Sequence, residues 1–316
     1  MDLPVDCTIL ILTYKGKGHL SYLLPSIVDG IYRTKHHTFT TMVLDNGCDL
    51  STETYIKRNF TGVSYIPSPS NDFLFSLNPI VAQLQSKYVF ILNDDMKLHP
   101  DCLTRAMDVM VERADLFAVS CQELNWEGDH KVNGIRKLNL QRGFSRHYWV
   151  FEGIEFNANH YTLYPGGGSA IFNVSKFNAL GGFDPIYKPG YSEDADLGIK
   201  AWFMGWPSLF CPGAVVYHRE GGTFKKEYKS NAIAIVQAKH TLLWMFRNDD
   251  RPDFVFWYLI LLPYRLIINF LRNRVYFWGM VKTIPHLWCR LINRDKPKDR
   301  VFTIDKIEMS INQQSV

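Results

Sequence analysis

The 316-residue chain is 47% hydrophobic and 21% charged, enough apolar material for one large core or two closely joined ones, and too much for a disordered protein. Its six cysteines are scattered, with no C-x-x-C pair, which excludes the common zinc-ligand spacings and leaves reduced thiols as the expectation. Charge is uneven: residues 1–238 hold 22 Lys+Arg against 24 Asp+Glu, whereas residues 239–300 hold 12 against 5, so a near-neutral body precedes a basic tail suited to an anionic surface.

The run Cys7-Thr8-Ile9-Leu10-Ile11-Leu12 reads as a buried strand. It follows Met1 with no charged segment and cleavage site between, so a secretory leader is not expected. Leu20–Tyr32 has apolar residues at helical spacing, with Pro25 marking either a start or a kink. Thr40–Leu44 reads as a strand ending in the turn Asp45-Asn46-Gly47. Val63–Ile66 is a further strand, Leu77–Leu84 a helix, and Tyr88–Leu92 another uncharged strand. Strands separated by helices argue for a parallel α/β sheet. Beyond Asp95, Cys102–Glu112 reads as helix and Phe117–Cys121 as strand, while residues 122–160 show no clear periodicity. Gly166-Gly167-Gly168 then precedes a strand at Ser169–Asn173, a helix start at Ser175, the loop Gly181-Gly182-Phe183-Asp184-Pro185, a helix at Asp194–Met204, and a strand at Ala214–Tyr217.

From about residue 231 the pattern is helical. Its longest uncharged run, Phe254–Tyr264, falls short of the roughly 20 residues that a membrane span needs. Arg265, Arg272, Arg274, Lys282 and Arg290 interleave with Trp257, Tyr258, Phe270, Tyr276, Phe277, Trp278 and Trp288. That mixture suits a helix lying in a membrane interface; the alternatives are an amphipathic helix packed on the body and a dimer contact. A nucleic-acid partner is not expected, because the body is mildly acidic and no reader motif is present.

Four acidic or histidine elements fall at the ends of predicted strands or at a helix start, where open α/β sheets collect ligands. Asn93-Asp94-Asp95 follows the fourth strand run. Adjacent carboxylates there are costly unless a cation or hydrogen-bond donors compensate, and a diphosphate with a divalent metal supplies that compensation; a turn leading to a helix cap is the plain alternative. Ser192-Glu193-Asp194-Ala195-Asp196 opens a helix, where the macrodipole alone favours acids, but a carboxylate held in a cleft there could also act as a general base. His218 ends a strand, and Asp45-Asn46 ends another, where a carboxylate can receive hydrogen bonds from a base or ribose or simply shape a turn.

In this order the motifs resemble the family 2 glycosyltransferases of GT-A fold. The matching residues are Leu12-Thr13-Tyr14, Val43-Leu44-Asp45-Asn46-Gly47, Asn78 ahead of Tyr88–Asp95, Leu180-Gly181-Gly182-Phe183-Asp184, Glu193-Asp194-Ala195-Asp196-Leu197 and His218. The resemblance implies a Rossmann-like, mostly parallel sheet flanked by helices. It divides the chain into a nucleotide-sugar-binding half (1–98), an acceptor-binding and catalytic half (99–230) and an amphipathic, basic, membrane-associating helical region (231–316). It further implies that Thr13, Tyr14, Asp45, Asn78, Asp94, Gly167 and Gly168 bind the donor, and that Asp95 and His218 hold Mn2+ or Mg2+. Asp194 would be the catalytic base of an inverting displacement, with Glu193 and Asp196 on the acceptor side.

The tail, with Arg247-Asn248 after a helix, is similar to rhamnosyltransferase-like bacterial members that build surface polysaccharide such as O-antigen. Such a member implies a dTDP-rhamnose or UDP-hexose donor, a polyprenyl diphosphate-linked saccharide acceptor, and peripheral placement on the cytoplasmic face of the inner membrane. Asn93 departs from the pattern, standing where many relatives carry the first Asp of D-x-D, and residues 122–160 map to no motif. Two rival readings are a sugar nucleotidyltransferase, for which Lys15-Gly16-Lys17-Gly18 lacks an Arg-rich continuation, and a non-catalytic sugar-nucleotide or lipid-binding relative.

Overall fold

A computed structural model describes residues 5–219, 230–292 and 300–313. A mixed sheet runs through the described body in the order β3-β2-β1-β4-β10-β6-β11-β5. These strands are β1 (Cys7–Thr13), β2 (Phe39–Asp45), β3 (Val63–Pro67), β4 (Tyr88–Asn93), β5 (Met96–Leu98), β6 (Ala118–Asn125), β10 (Ser169–Asn173) and β11 (Ser208–His218). A short strand, β9 (His160–Thr162), pairs with the start of β11.

The expected parallel pairing holds for β3-β2-β1-β4 and for β6-β11. Between these blocks β10 is antiparallel to both neighbours. That reversal sets Ser169 beside Leu92, so the glycine run meets the carboxyl end of β4. The carboxyl end of β11 meets β5, with His218 opposite Met96. All the chemistry-bearing motifs therefore reach one edge of the sheet.

Two cores flank it. On one face Ile9, Ile11, Phe90 and Leu92 pack with helices α1 (Lys17–Arg33) and α4 (Cys102–Glu112). On the other, Leu10, Val89 and Ile91 meet α3 (Leu77–Val81), α5 (Val174–Ala179) and α6 (Glu193–Phe203). The period-2 alternation of β1 and β4 sorts apolar residues to both sides, so both strands read as unbroken apolar runs. α1 passes through Pro25 without ending there.

The tail is part of the second core. In α7 (Ser230–Asn248) Trp244 and Met245 are fully buried, as are Phe254 of α8 (Phe254–Arg272) and Ile304 and Ile307 of α10 (Ile304–Gln313). α9 (Arg274–Ile292) packs against α7; the side chains of Trp288 and Arg290 lie outside the described residues.

Helix α8 is longer than its uncharged run suggests, because Arg265 bends back to donate to Gly143 O at 2.6 Å. With that charge turned toward the body, the 19-residue helix is long and apolar enough to cross a membrane by length and composition. Its outward face carries Phe256, Leu259, Ile260, Ile267 and Leu271. The segment without periodicity contains the hairpin β7 (Ile135–Gln141) and β8 (Phe144–Val150), which pairs Arg136 with Trp149 and Leu138 with His147. Its tip rests on the tail, where Leu140 N donates to Glu308 at 2.8 Å.

Candidate active site

Four loops at the carboxyl edge build the site. At the end of β1, the Thr13 hydroxyl donates to Asp94, which lies beyond the end of β4. Gly16 packs so closely that a Cβ there would sit 2.2 Å from the Thr13 hydroxyl. Burial pushes the Asp94 carboxyl up to about 7; the Thr13 hydrogen bond pulls it down and neighbouring Asp95 raises it again.

Asp45 is fully buried. It accepts hydrogen bonds from Gly47 N (2.8 Å), Asp49 N (3.0 Å) and the Tyr65 hydroxyl (3.0 Å). The carboxylate thus organises the loop after β2, with most of its lone pairs engaged inside the protein.

Asp95 and His218 meet where β4 and β11 end, with His218 Nε2 3.4 Å from Asp95. The other ring nitrogen lies 3.2 Å from Glu123 of β6, within ion-pair range though out of hydrogen-bond line. Burial alone would lower the His218 pKa, but the two carboxylates raise it to about 10. Glu123 is anchored by the Ser169 hydroxyl at 2.6 Å. The sequence offers no signal for Glu123, because the expected strand stops at Cys121 and leaves it in the stretch without clear periodicity; β6 in fact runs on to Asn125, and the β6–β11 register brings Glu123 beside His218.

A divalent cation fits part of this set. The second oxygen of Asp95 is buried without a hydrogen-bond partner, an arrangement that costs energy unless something fills it. Among the described residues no group of three or more His, Cys, Asp or Glu converges on one point. Asp95 and His218 would thus leave most of the coordination shell to diphosphate oxygens and water, as Mg2+ prefers. Binding to His218 requires its neutral form, so a metal must compete with the proton held there.

At the start of α6, Glu193 and Asp194 sit behind Gly167, whose added Cβ would lie 3.7 Å from that of Asp194. Burial raises the pKa of both, and the Asp194 charge adds to the effect at Glu193. Arg136, 3% exposed, opposes this at Asp194. The two residues before the helix, Tyr191 and Ser192, have left-handed φ of 72° and 71°. Non-glycine residues rarely adopt that conformation, and tolerated strain of this kind clusters at functional sites.

Two of the expected site residues are engaged within the protein. Asp196 is 1% exposed, accepts from Tyr187 and Asn248 at 2.9 and 2.8 Å, and lies 2.5 Å from Lys200. It ties α6 to Arg247-Asn248 of the tail, and Arg247 also reaches Asp184 at 2.6 Å. The Asn78 side chain donates to Phe183 O and accepts from Phe183 N, at 2.8 and 2.9 Å. Its spacing ahead of β4 therefore reflects a clamp on the loop before α6. Gly168 has a local reason as well, since a Cβ there would come within 2.3 Å of the Asn93 amide.

Acidic loops and a histidine at the carboxyl edge of a mixed α/β sheet suit a site where carboxylates meet a cation and a diphosphate. The chain belongs to the family described as glycosyl transferase family group 2, which it matches over residues 88–292. It is 22% identical over 266 residues to the N-acetylglucosaminyl-diphospho-decaprenol L-rhamnosyltransferase of Mycobacterium tuberculosis, covering 76% of this chain and 83% of that one.

Among solved structures it is similar to GalNAc-T7 with UDP, GalNAc and Mn2+, at a TM-score of 0.62 and 11% identity over 94% of this chain. This chain spans only 59% of that structure. It also matches the Pyrobaculum calidifontis mannosyltransferase PcManGT in complex with GDP-Man and Mn2+, at a TM-score of 0.54 and 15% identity, covering 92% of this chain and 87% of that one. At these identities the likeness establishes the fold.

Proposed function

We propose that this glycosyltransferase moves a sugar from a nucleotide diphosphate donor to a polyprenyl diphosphate-linked saccharide, with inversion, at the cytoplasmic face of a membrane. The observation that carries the reading is that one glycine run borders both ends of the site: Gly167 lies beside the buried Asp194, and Gly166 beside Glu123, which joins the Asp95–His218 corner. Thr13 and Asp94 line the donor side, and the loop ordered by Asp45 borders the nucleoside. A Mn2+ or Mg2+ ion at Asp95 would supply Lewis-acid stabilisation of the departing diphosphate. His218, once its proton is displaced, would be the second protein ligand of that ion.

Asp194 accepts the proton of the acceptor hydroxyl as the hydroxyl oxygen bonds to the anomeric carbon and the bond from that carbon to the diphosphate breaks. The lipid-linked acceptor is supported by the mycobacterial relative, which by its name acts on N-acetylglucosaminyl-diphospho-decaprenol. The apolar outward face of α8 beside Arg272 and Arg274 suits the surface where such a carrier lies. Among donors, dTDP-rhamnose comes first and UDP-hexoses second.

Thermal-shift scans against UDP-, dTDP- and GDP-sugars, each with Mn2+, Mg2+ or EDTA, test this directly. A donor at 100 times its Kd adds about 2.7 kcal/mol of stability. A shift for one nucleotide that EDTA removes is the expected result; no shift for any nucleotide-sugar would overturn the reading.

A further inference from the structure

A surface helix normally turns its polar face to water, and α8 does the reverse. Phe256, Leu259, Ile260, Tyr264, Ile267 and Leu271 are 53–69% exposed, and their spacing places them on one face over most of the helix. The opposite face begins with the buried Phe254 and Tyr258 and carries Arg265 and Asn269, the polar side chains of the helix interior. A contiguous apolar strip of this length marks a surface that meets something other than water.

Charge identifies what lies against it. Residues 254–292 contain five Lys or Arg and no Asp or Glu. Arg272 and Arg274 close the carboxyl end of the strip, where the Arg274 guanidinium lies 3.8 Å from the Phe270 ring centre, and Lys282 is exposed on α9. A second copy of the chain would bring these cations against one another across a two-fold axis, with no acid in the segment to answer them. The stretches outside the described residues, 1–4, 220–229, 293–299 and 314–316, hold too few large apolar residues to cover the strip. Anionic lipid supplies both the apolar depth and the negative charge.

Length and composition would let α8 cross a bilayer, but its packing opposes a crossing. The protein lies against it from the first turn, where Phe254 meets Phe246, to the last, where Asn269 reaches Met280. Between these ends the hairpin turn Arg142-Gly143 is pinned to α8 at Tyr258 and again at Arg265, on either side of the helix midpoint. A spanning helix would draw the exposed Arg142 and the carbonyls of that turn into hydrocarbon, where both are costly. Lying lengthwise in one leaflet buries the outward strip and leaves the turn in water.

We propose that α8 lies lengthwise in the interface of an anionic leaflet, inserting its outward strip while Arg272, Arg274 and Lys282 meet lipid phosphates. This rests on the membrane placement proposed above and gives it an orientation and a lipid preference.

The test uses the full chain and vesicles of phosphatidylcholine, alone or in equimolar mixture with phosphatidylglycerol. Flotation should recover the protein with the mixed vesicles and about tenfold less of it with phosphatidylcholine alone. Ile260→Glu with Ile267→Glu should abolish flotation at unchanged Tm, since both positions face outward. Arg272→Gln with Arg274→Gln should weaken binding about 25-fold, roughly fivefold for each cation near an anionic surface. Depth is read from Phe256→Cys, Tyr264→Cys or Leu271→Cys in a Cys48→Ser, Cys289→Ser chain, whose other cysteines are buried. Fluorophores on the three positions, quenched by nitroxide lipids, should report one shallow depth.

A Tyr264→Cys label at the bilayer centre, with the other two shallow, would make α8 a span and overturn the proposal. Equal flotation with both vesicle types, or flotation that survives Ile260→Glu with Ile267→Glu, would do so as well. So would a dimer in solution that the same double variant dissociates, without flotation, which would give the strip to a second copy. The transferase reading fails separately: its test is the donor thermal shift, and flotation needs no nucleotide-sugar.

Discussion

Asp196 is the residue for which sequence pattern and three-dimensional position disagree most sharply, and its replacement separates the two. Asp196→Ala removes an acceptor shared by two buried donors, the Tyr187 hydroxyl and the Asn248 amide. Leaving each unpaired costs about 1–2 kcal/mol. It also strips Lys200 of its nearer carboxylate, at 2.5 Å, and leaves it Asp184 at 3.6 Å. With the Lys200 side chain 17% exposed, water relieves part of that loss, so about 1 kcal/mol is appropriate. The total is about 3–5 kcal/mol, in the range for breaking a buried charge pair by removing one member. At about 2 °C per kcal/mol for a chain of this size, the Tm should fall by roughly 6–10 °C. Asp196→Asn keeps an acceptor oxygen for Tyr187 and Asn248 and should lose about 1–2 kcal/mol, roughly 2–4 °C. Differential scanning fluorimetry at a fixed scan rate, with acceptor and donor KM measured on the folded variant at 20 °C, decides the matter. A Tm within 1 °C of wild type together with a raised acceptor KM would refute the structural assignment and restore Asp196 to the acceptor side.

Asp194→Asn should abolish transfer while the donor-induced thermal shift persists; near-normal turnover would remove Asp194 as the base. Asp95→Ala should weaken metal-dependent donor binding and make the remaining donor shift insensitive to EDTA, checked by the same scan. Because burial holds the Asp194 pKa above the ordinary carboxylate range, kcat should rise with pH through that raised value. The positive charge of Arg136 favours ionised Asp194, so Arg136→Met should move this acid limb to higher pH, and a shift to lower pH would contradict the electrostatics. Gly168→Ala should cost about 100-fold in kcat/KM, the penalty of displacing a site by about 1 Å. Asn93→Ala in the same chain should recover much of it, since the clash is with the Asn93 side chain.

Much of this protein was legible locally. Unbroken apolar runs at β1 and β4 announced central strands because both faces of those strands are buried. Thr13, Asp45, Asp94, Asp95 and His218 stand at or just beyond the ends of strands β1, β2, β4 and β11, so strand direction gathers them at one rim, while Asp194 comes to it from the start of α6. Other features depended on residues distant in sequence. Glu123 joins His218 only through the β6–β11 register. Asn78 and Asp196 look functional in one dimension, yet both hold hydrogen bonds to distant parts of the chain, Asn78 to Phe183 and Asp196 to Asn248. The hairpin at residues 135–150 has mixed patterning, since it is buried against the tail along only part of one face. The apolar length of α8 emerges once Arg265 folds back onto Gly143. Periodicity reports which face of an element is buried; what a polar side chain does there is set by the partners that the fold brings to it, and those lie 52 residues apart for Asp196 and Asn248 and 105 for Asn78 and Phe183.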